Sequence, residues 1–110
     1  MASLHPGLES GRWEKLSLIE QMGNIGSEVS RAKRWQREDP VLFGRAMARA
    51  LDLLDLSLRD CRWRHRLKEI ARAREMLCDA WLGGKEYHSD LDGLDRYFFH
   101  FALAARKSRS

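Results

Sequence analysis

Threonine is absent from this 110-residue chain, and valine and isoleucine together occur only five times. Because β-branched side chains favour strands, their scarcity argues against a sheet. Leucine, alanine, arginine and glutamate are abundant instead, and these residues lose little rotamer freedom in a helix. The composition therefore predicts an all-α protein, and the length fits one domain of about 100–150 residues.

Cysteine is also scarce: Cys61 and Cys78 are the two in the sequence, and they are not spaced as metal ligands. A small secreted domain usually contains more disulfides, so we expect reduced thiols and a cytoplasmic location. No apolar run approaches the roughly 18–20 residues needed to cross a bilayer, so no membrane partner is expected. The histidines show no ligand spacing either, and we expect neither a metal nor another cofactor.

Four segments carry apolar residues at helical spacing, and capping signals mark where they start. The first begins near Ser17, because Ser17 and Glu20 fit a capping box, and it runs to about Arg37. The second begins at Asp39-Pro40, with the aspartate as N-cap and the proline at the first helical position, and ends near residues 57–58.

The third helix is expected to begin around residues 62–64 and to end just before Gly83, which suits the left-handed position after a helix. Its apolar stripe includes Trp81, which we therefore expect in the core. The fourth helix is expected to be capped by Ser89 or Asp90. In the first helix, glycines at positions 23 and 26 predict a close approach of another helix.

Short connections favour antiparallel neighbours, so the sequence predicts an antiparallel up-down four-helix bundle. The bundle is expected to span residues 13–107, preceded by a disordered segment, 1–12, and followed by a frayed end, 108–110. In this topology the start of the first helix, the end of the second, the start of the third and the end of the fourth lie at one end.

That end of the bundle is expected to be basic, because it holds ten of the twenty Lys and Arg residues. They are Arg12, Lys15, Arg59, Arg62, Arg64, Arg66, Lys68, Arg106, Lys107 and Arg109. The densest stretch runs from Arg59 to Lys68 and includes Trp63. Guanidinium groups suit phosphate oxygens, and an aromatic ring can stack on an unpaired base.

The sequence therefore favours a non-catalytic binding or accessory module that contacts nucleic acid, or another polyanion, through this basic end. The expected contact residues are Arg59, Arg62, Trp63, Arg64, Arg66, Lys68, Arg106 and Lys107. The same pattern also fits an ordinary solvated, ion-paired face, with the tryptophan packed into the core.

Two other functions remain open. Arg59 and His65 match the spacing of the arginine and histidine in HEPN-type RNases, where the arginine holds phosphate and the histidine performs acid–base chemistry. The other is a purely structural, oligomeric interaction module. The fourth helix is apolar on a second side, through Tyr97, Phe99 and Leu103, and an exposed patch of that kind favours a homo-oligomer.

Arg74 falls within the apolar stripe of the third helix. A buried arginine without a partner is strongly destabilising, so we expect a structural ion pair. The first choice of partner is Asp55 on the second helix, and the alternatives are Asp52 and Glu28.

Segments 23–31, 51–59, 66–70, 74–79 and 101–106 resemble those of a family of small bacterial proteins without an assigned biochemistry. The resemblance covers about residues 13–107 and implies a bacterial source. In architecture alone, a basic four-helix bundle of this size is similar to the accessory subunit of diversity-generating retroelements. That analogy implies an oligomer whose partner is a reverse transcriptase or a similar enzyme.

Overall fold

The computed structural model describes residues 11–109, so most of the expected disordered segment lies outside the described residues. Within that range the chain is all-helical, without strands, and four α-helices pack together. These are α1 (Leu18–Trp35), α2 (Pro40–Leu58), α3 (Leu67–Trp81) and α4 (Leu91–Arg109). Two short 3-10 helices, Trp13–Lys15 and Cys61–Arg66, precede α1 and α3.

Side-chain caps start α1, α2 and α4, as the sequence predicts. The capping box of α1 is complete: the Glu20 amide donates to Ser17 Oγ at 3.1 Å, and the Ser17 amide donates to Glu20 Oε1 at 3.0 Å. Asp39 caps α2 by accepting hydrogen bonds from the first two amides of the helix. Asp90 accepts a hydrogen bond from the Gly93 amide at 2.7 Å at the start of α4. These caps satisfy amides that have no partner within the helix.

The prediction for the start of α3 is wrong, because residues 61–66 form a 3-10 helix and α3 begins only at Leu67. Asp60 caps this tighter turn, accepting a hydrogen bond from the Arg62 amide at 3.1 Å. Trp63 interrupts it with φ −99° and ψ 25°. The cap and the bond from the Trp63 indole to Gln21 hold these residues in a compact turn against α1.

The core lies around α1, which packs along both α2 and α4, while α2 also packs on α3. Ile25, Val29 and Leu54 are fully buried there. Trp81 is 39% exposed, so its predicted place in the core is wrong. It is the last residue of α3, and the chain turns into the following loop directly after it, which leaves part of the ring beyond the end of the core.

Asp79 organises the loop between α3 and α4, a role that the sequence does not predict. Its buried carboxylate accepts hydrogen bonds from the amides of Glu86, Tyr87 and Ser89 at 2.9, 3.1 and 3.0 Å. Gly83 has φ +102°, as expected for the left-handed residue after a helix. The loop is therefore fixed at both ends before α4 begins.

The predicted close approach of a helix to the glycines of α1 is confirmed. A Cβ atom at Gly26 would lie 2.7 Å from Cβ of Phe98 on α4, and one at Gly23 would lie 3.5 Å from Cα of Ala102. The absence of a side chain at Gly26 thus allows α4 to lie directly against α1.

We expect Gly26→Ala to lower the free energy of unfolding by about 1–2 kcal/mol, because overpacking outweighs the gain in helix propensity. Gly44→Ala is the matched control, since a Cβ there would meet nothing within 4 Å. The control should gain about 0.5–1 kcal/mol. Urea unfolding followed by circular dichroism measures both, and equal gains in the two variants would contradict the close packing.

Candidate nucleic-acid interface

The basic segment, residues 59–68, connects α2 to α3. Arg59 is the C-cap of α2, the residues that follow form the second 3-10 helix, and Lys68 lies in the first turn of α3. The segment contains five Lys and Arg residues and one carboxylate, Asp60. A second carboxylate, Glu69, follows directly after it. All five cationic residues are exposed.

The buried side chain of Gln21 on α1 anchors the segment. Its Oε1 accepts hydrogen bonds from Ser57 Oγ at 2.8 Å and from the Trp63 indole at 2.9 Å. Its Nε2 donates to the carbonyl oxygen of Trp13 at 2.9 Å and to Asp60 Oδ2 at 3.2 Å. The amide group is fully buried, and these four bonds use both of its lone pairs and both of its N–H groups.

Trp13 closes this set of hydrogen bonds. Its indole donates to Ser57 Oγ at 3.2 Å, and only 2% of the residue is exposed. The Gln21 network, as we name Trp13, Gln21, Ser57, Asp60 and Trp63, thus joins the first 3-10 helix, α1, the end of α2 and the basic segment. The structural roles of Gln21 and Ser57 were not predicted from the sequence. The signal for them is a glutamine and a serine within apolar helix stripes.

Arg62 is held by Asp60, the buried carboxylate of the network. Its Nη2 lies 2.7 Å from Asp60 Oδ2 and 2.8 Å from the carbonyl oxygen of Leu16. Its guanidinium carbon lies 4.3 Å from the centroid of the Trp63 ring and covers one face of it. The hydrogen bonds from Arg62 hold the pKa of Asp60 below its usual value. Arg62 and Trp63 thus support each other and shape the segment.

Arg66 is also engaged within the chain. Its Nε and Nη2 donate to Glu69 Oε2 at 2.9 and 2.7 Å. The other oxygen of Glu69 accepts a hydrogen bond from the Tyr97 hydroxyl on α4 at 3.2 Å. Burial, reinforced by the carboxylate of Glu69, raises the pKa of Tyr97 to about 12, so the phenol stays protonated as the donor. Glu69 therefore ties the segment to α4.

Three cations of the segment remain without such partners. Arg59, Arg64 and Lys68 are exposed, and their side chains form no hydrogen bond or ion pair with another residue in the described range. Arg106, also predicted as a contact residue, is exposed and lines the cleft between α1 and α4. Lys107 is exposed near the end of α4.

The residues of the alternative RNase hypothesis are Arg59 and His65. Both are exposed, and no hydrogen bond joins them among the described residues. Neither side chain lines the two cavities described below.

Arg74 pairs with Asp55, the partner that the sequence analysis ranks first, through Nε and Oδ1 at 2.7 Å. The pair is not deeply buried, because the two side chains are 38% and 43% exposed. Of the three carboxylates considered as partners for Arg74, Glu28 is the buried one. It pairs with Arg31 at 2.7 Å, and its Oε2 has no hydrogen-bond partner within residues 11–109.

A cavity of about 580 Å³ separates α3 from α4, which have only slight contact. Ala73, Met76 and Leu94 contribute apolar surface to it. Polar groups that line it already have partners within the chain. Glu69, for example, accepts a hydrogen bond from the Tyr97 hydroxyl. The cavity therefore gives no indication of a particular ligand.

No protein-family model, no curated protein and no solved structure matches this chain. The resemblance to small bacterial proteins and the analogy with the retroelement subunit therefore stay predictions. Between residues 11 and 109, no cluster of three or more His, Cys, Asp or Glu side chains is placed to hold a metal ion. In the same range, no helix is long and apolar enough to cross a membrane.

Replacing Gln21 by methionine should lower the free energy of unfolding by about 2–4 kcal/mol, because several buried donors and acceptors lose their partner together. Gln36→Met is the control, since Gln36 is exposed at the end of α1 and should change stability by no more than about 0.5 kcal/mol. Urea unfolding gives both values. Similar small effects in the two variants would show that the network is not structural.

The Asp60 carboxylate should make stability sensitive to acid. Because its pKa is lowered in the folded protein, its contribution is present above about pH 4, the unfolded-state pKa, and is lost as the pH falls through the folded-state pKa. Asp60→Asn should therefore be less stable than the parent at neutral pH, and the difference should shrink below about pH 4.

Urea unfolding at a series of pH values measures this difference. Glu38→Gln is the control, because Glu38 is exposed and its side chain accepts no hydrogen bond from a described residue. A gap between parent and Asp60→Asn that stays constant down to low pH would contradict the assignment.

Proposed function

We propose that this protein is a non-catalytic nucleic-acid-binding module, in which the basic segment holds the phosphate backbone. The single observation that carries the proposal is the set of three exposed cations without partners, Arg59, Arg64 and Lys68, on a segment anchored by a buried hydrogen-bond network. A segment that is already anchored loses less conformational entropy when a polyanion binds to its cations.

The difference between paired and unpaired cations within the segment supports the proposal. Arg62 and Arg66 are bound to carboxylates of the chain and shape the surface, whereas the three unpartnered cations face solvent. Phosphate oxygens would provide the charge-assisted hydrogen bonds that these groups do not form within the chain. Arg12, the residue before the first 3-10 helix, and Lys15, the last residue of that helix, are both exposed and extend the positive surface.

The proposal includes an up-down order of the four helices, which brings the start of α1 and the end of α4 to the end that holds the basic segment. Contacts between neighbouring helices support this order, because residues later in α1 meet residues earlier in α2 and α4. The pairs are Gln21 with Ser57, Glu28 with Arg49, Gly23 with Ala102, and Lys33 with Asp92.

We place this activity in the cytoplasm, where the exposed thiol of Cys61 would remain reduced. By analogy of architecture alone, the module would act beside a reverse transcriptase or a similar enzyme on the same nucleic acid. If the immobilised protein retains such an enzyme and nuclease treatment releases it, the nucleic acid bridges the two proteins.

Substitution of Arg59, Arg64 and Lys68 by glutamine should weaken binding to single-stranded RNA or DNA. If all three cations contact phosphate, the slope of log affinity against log salt should fall by about 2 for a single strand. Fluorescence anisotropy with labelled single- and double-stranded oligonucleotides, between about 50 and 200 mM salt, measures affinity and slope.

The matched control replaces Arg37, Arg45 and Lys85 by glutamine. These cations are also exposed and form no ion pair with a described residue, but they lie outside the basic segment. The net charge changes equally, so an equal loss of affinity in both triple variants would indicate a general charge effect and contradict the proposed site. If the protein cleaves the RNA and the His65→Ala variant does not, the RNase alternative is favoured.

A further inference from the structure

The outer face of α4 carries two large apolar side chains that the bundle leaves uncovered. Phe99 is 54% exposed and Leu103, one turn later, is 37% exposed. Tyr97, which the sequence also places on a second apolar side, is half-buried and packs edge-on against Phe101 with ring centroids 5.4 Å apart. The uncovered apolar surface therefore belongs to Phe99 and Leu103.

A cleft of about 210 Å³ lies directly beside Phe99, between α1 and α4. Small residues border it and allow α4 to pack closely on α1. They include Gly23, Gly26, Ser27, Ser30 and Ala102. An exposed ring thus stands next to a depression on the same face.

Charges of opposite sign border the two ends of this cleft on α4. Asp95 lies at one end and Arg106 at the other, eleven residues and therefore about 16 Å apart along the helix. Positions 95, 99, 102 and 106 follow the helical repeat, so they form one stripe. Arg106 forms no ion pair with another described residue, and Asp95 is 25% exposed beside Lys33 at 3.4 Å.

We propose that this face binds a second copy of the same chain, with the two α4 helices antiparallel around a two-fold axis. Asp95 of each copy then lies opposite Arg106 of the other, and Phe99 of each copy lies opposite Ala102, at the mouth of the cleft. The axis passes between positions 100 and 101.

The charge order along the stripe is what selects a second copy as the partner. A two-fold interface brings identical surfaces together with their directions reversed, so it needs a face that is complementary to itself. An acidic end, an apolar middle and a basic end meet that condition. The stripe therefore supplies two ion pairs and two aromatic insertions. The proposed dimer does not depend on nucleic-acid binding, because none of these residues belongs to the basic segment.

Charge reversal tests the proposal on the full chain. The parent protein should show a dimer in analytical ultracentrifugation across a concentration series from low micromolar to millimolar. Arg106→Asp places like charges opposite each other at both ends of the interface, so its dimer should dissociate at least about tenfold more readily. Asp95→Arg should have the same effect.

Mixing the two reversed variants should restore association, because a heterodimer of Asp95→Arg and Arg106→Asp has opposite charges at both ends. The double variant should also dimerise as the parent does. Restored association in the mixture shows that both single variants keep a usable interface. Circular dichroism of each variant checks that it is helical. Arg37→Asp, a reversal outside this face, should leave the dimer intact and serves as the control.

Three results would overturn the proposal. They are a parent protein that stays monomeric at every concentration, a dimer that both reversals leave unchanged, and a mixture of the reversed variants that fails to associate. Loss of nucleic-acid binding in the triple glutamine variant with an intact dimer would separate the two surfaces.

Discussion

The buried amide of Gln21 is the interaction on which the arrangement of this protein depends. It lies in the apolar interior, where an unsatisfied polar group is costly, and all four of its hydrogen-bonding positions are used within the chain. Its four partners lie in the first 3-10 helix, at the end of α2 and in the basic segment. The network therefore holds the first 3-10 helix, the end of α2 and the basic segment together at the start of α1.

The basic segment shows that the density of charge and the number of accessible charges are different properties. Arg62 is bound to the buried carboxylate of Asp60 and lies over Trp63, so it stabilises the turn. The cations left for a partner are those that the turn directs away from such groups. At the contact between α1 and α4, the glycines of α1 bring the two helices close together, and Phe99 on α4 remains outside the core.

Much of the fold follows from local features of the sequence. The helix starts at Ser17, Asp39 and Asp90 are predictable because a capping side chain bonds to amides within three residues of itself. The start of α3 is not, because the 3-10 turn before it is stabilised by a contact between Trp63 and Gln21, 42 residues apart. The exposure of Trp81 likewise depends on where the neighbouring helices end.

By itself, the sequence determined an all-helical chain, the glycine contact of α1, the choice of Asp55 for Arg74 and the concentration of cations between α2 and α3. Composition, spacing and caps express the helices and the cluster of cations within one or two helical turns. The glycine contact and the Arg74 pair are long-range, but the sequence signals them through residue types that are unfavourable at those helix positions. Only the tertiary structure decided that Gln21 joins two tryptophans, that Arg62 is held by Asp60 and that Arg106 lines the cleft between α1 and α4. The physical reason is that a hydrogen bond or an ion pair depends on distances of about 3 Å, and residues far apart in sequence reach such distances only when helices pack.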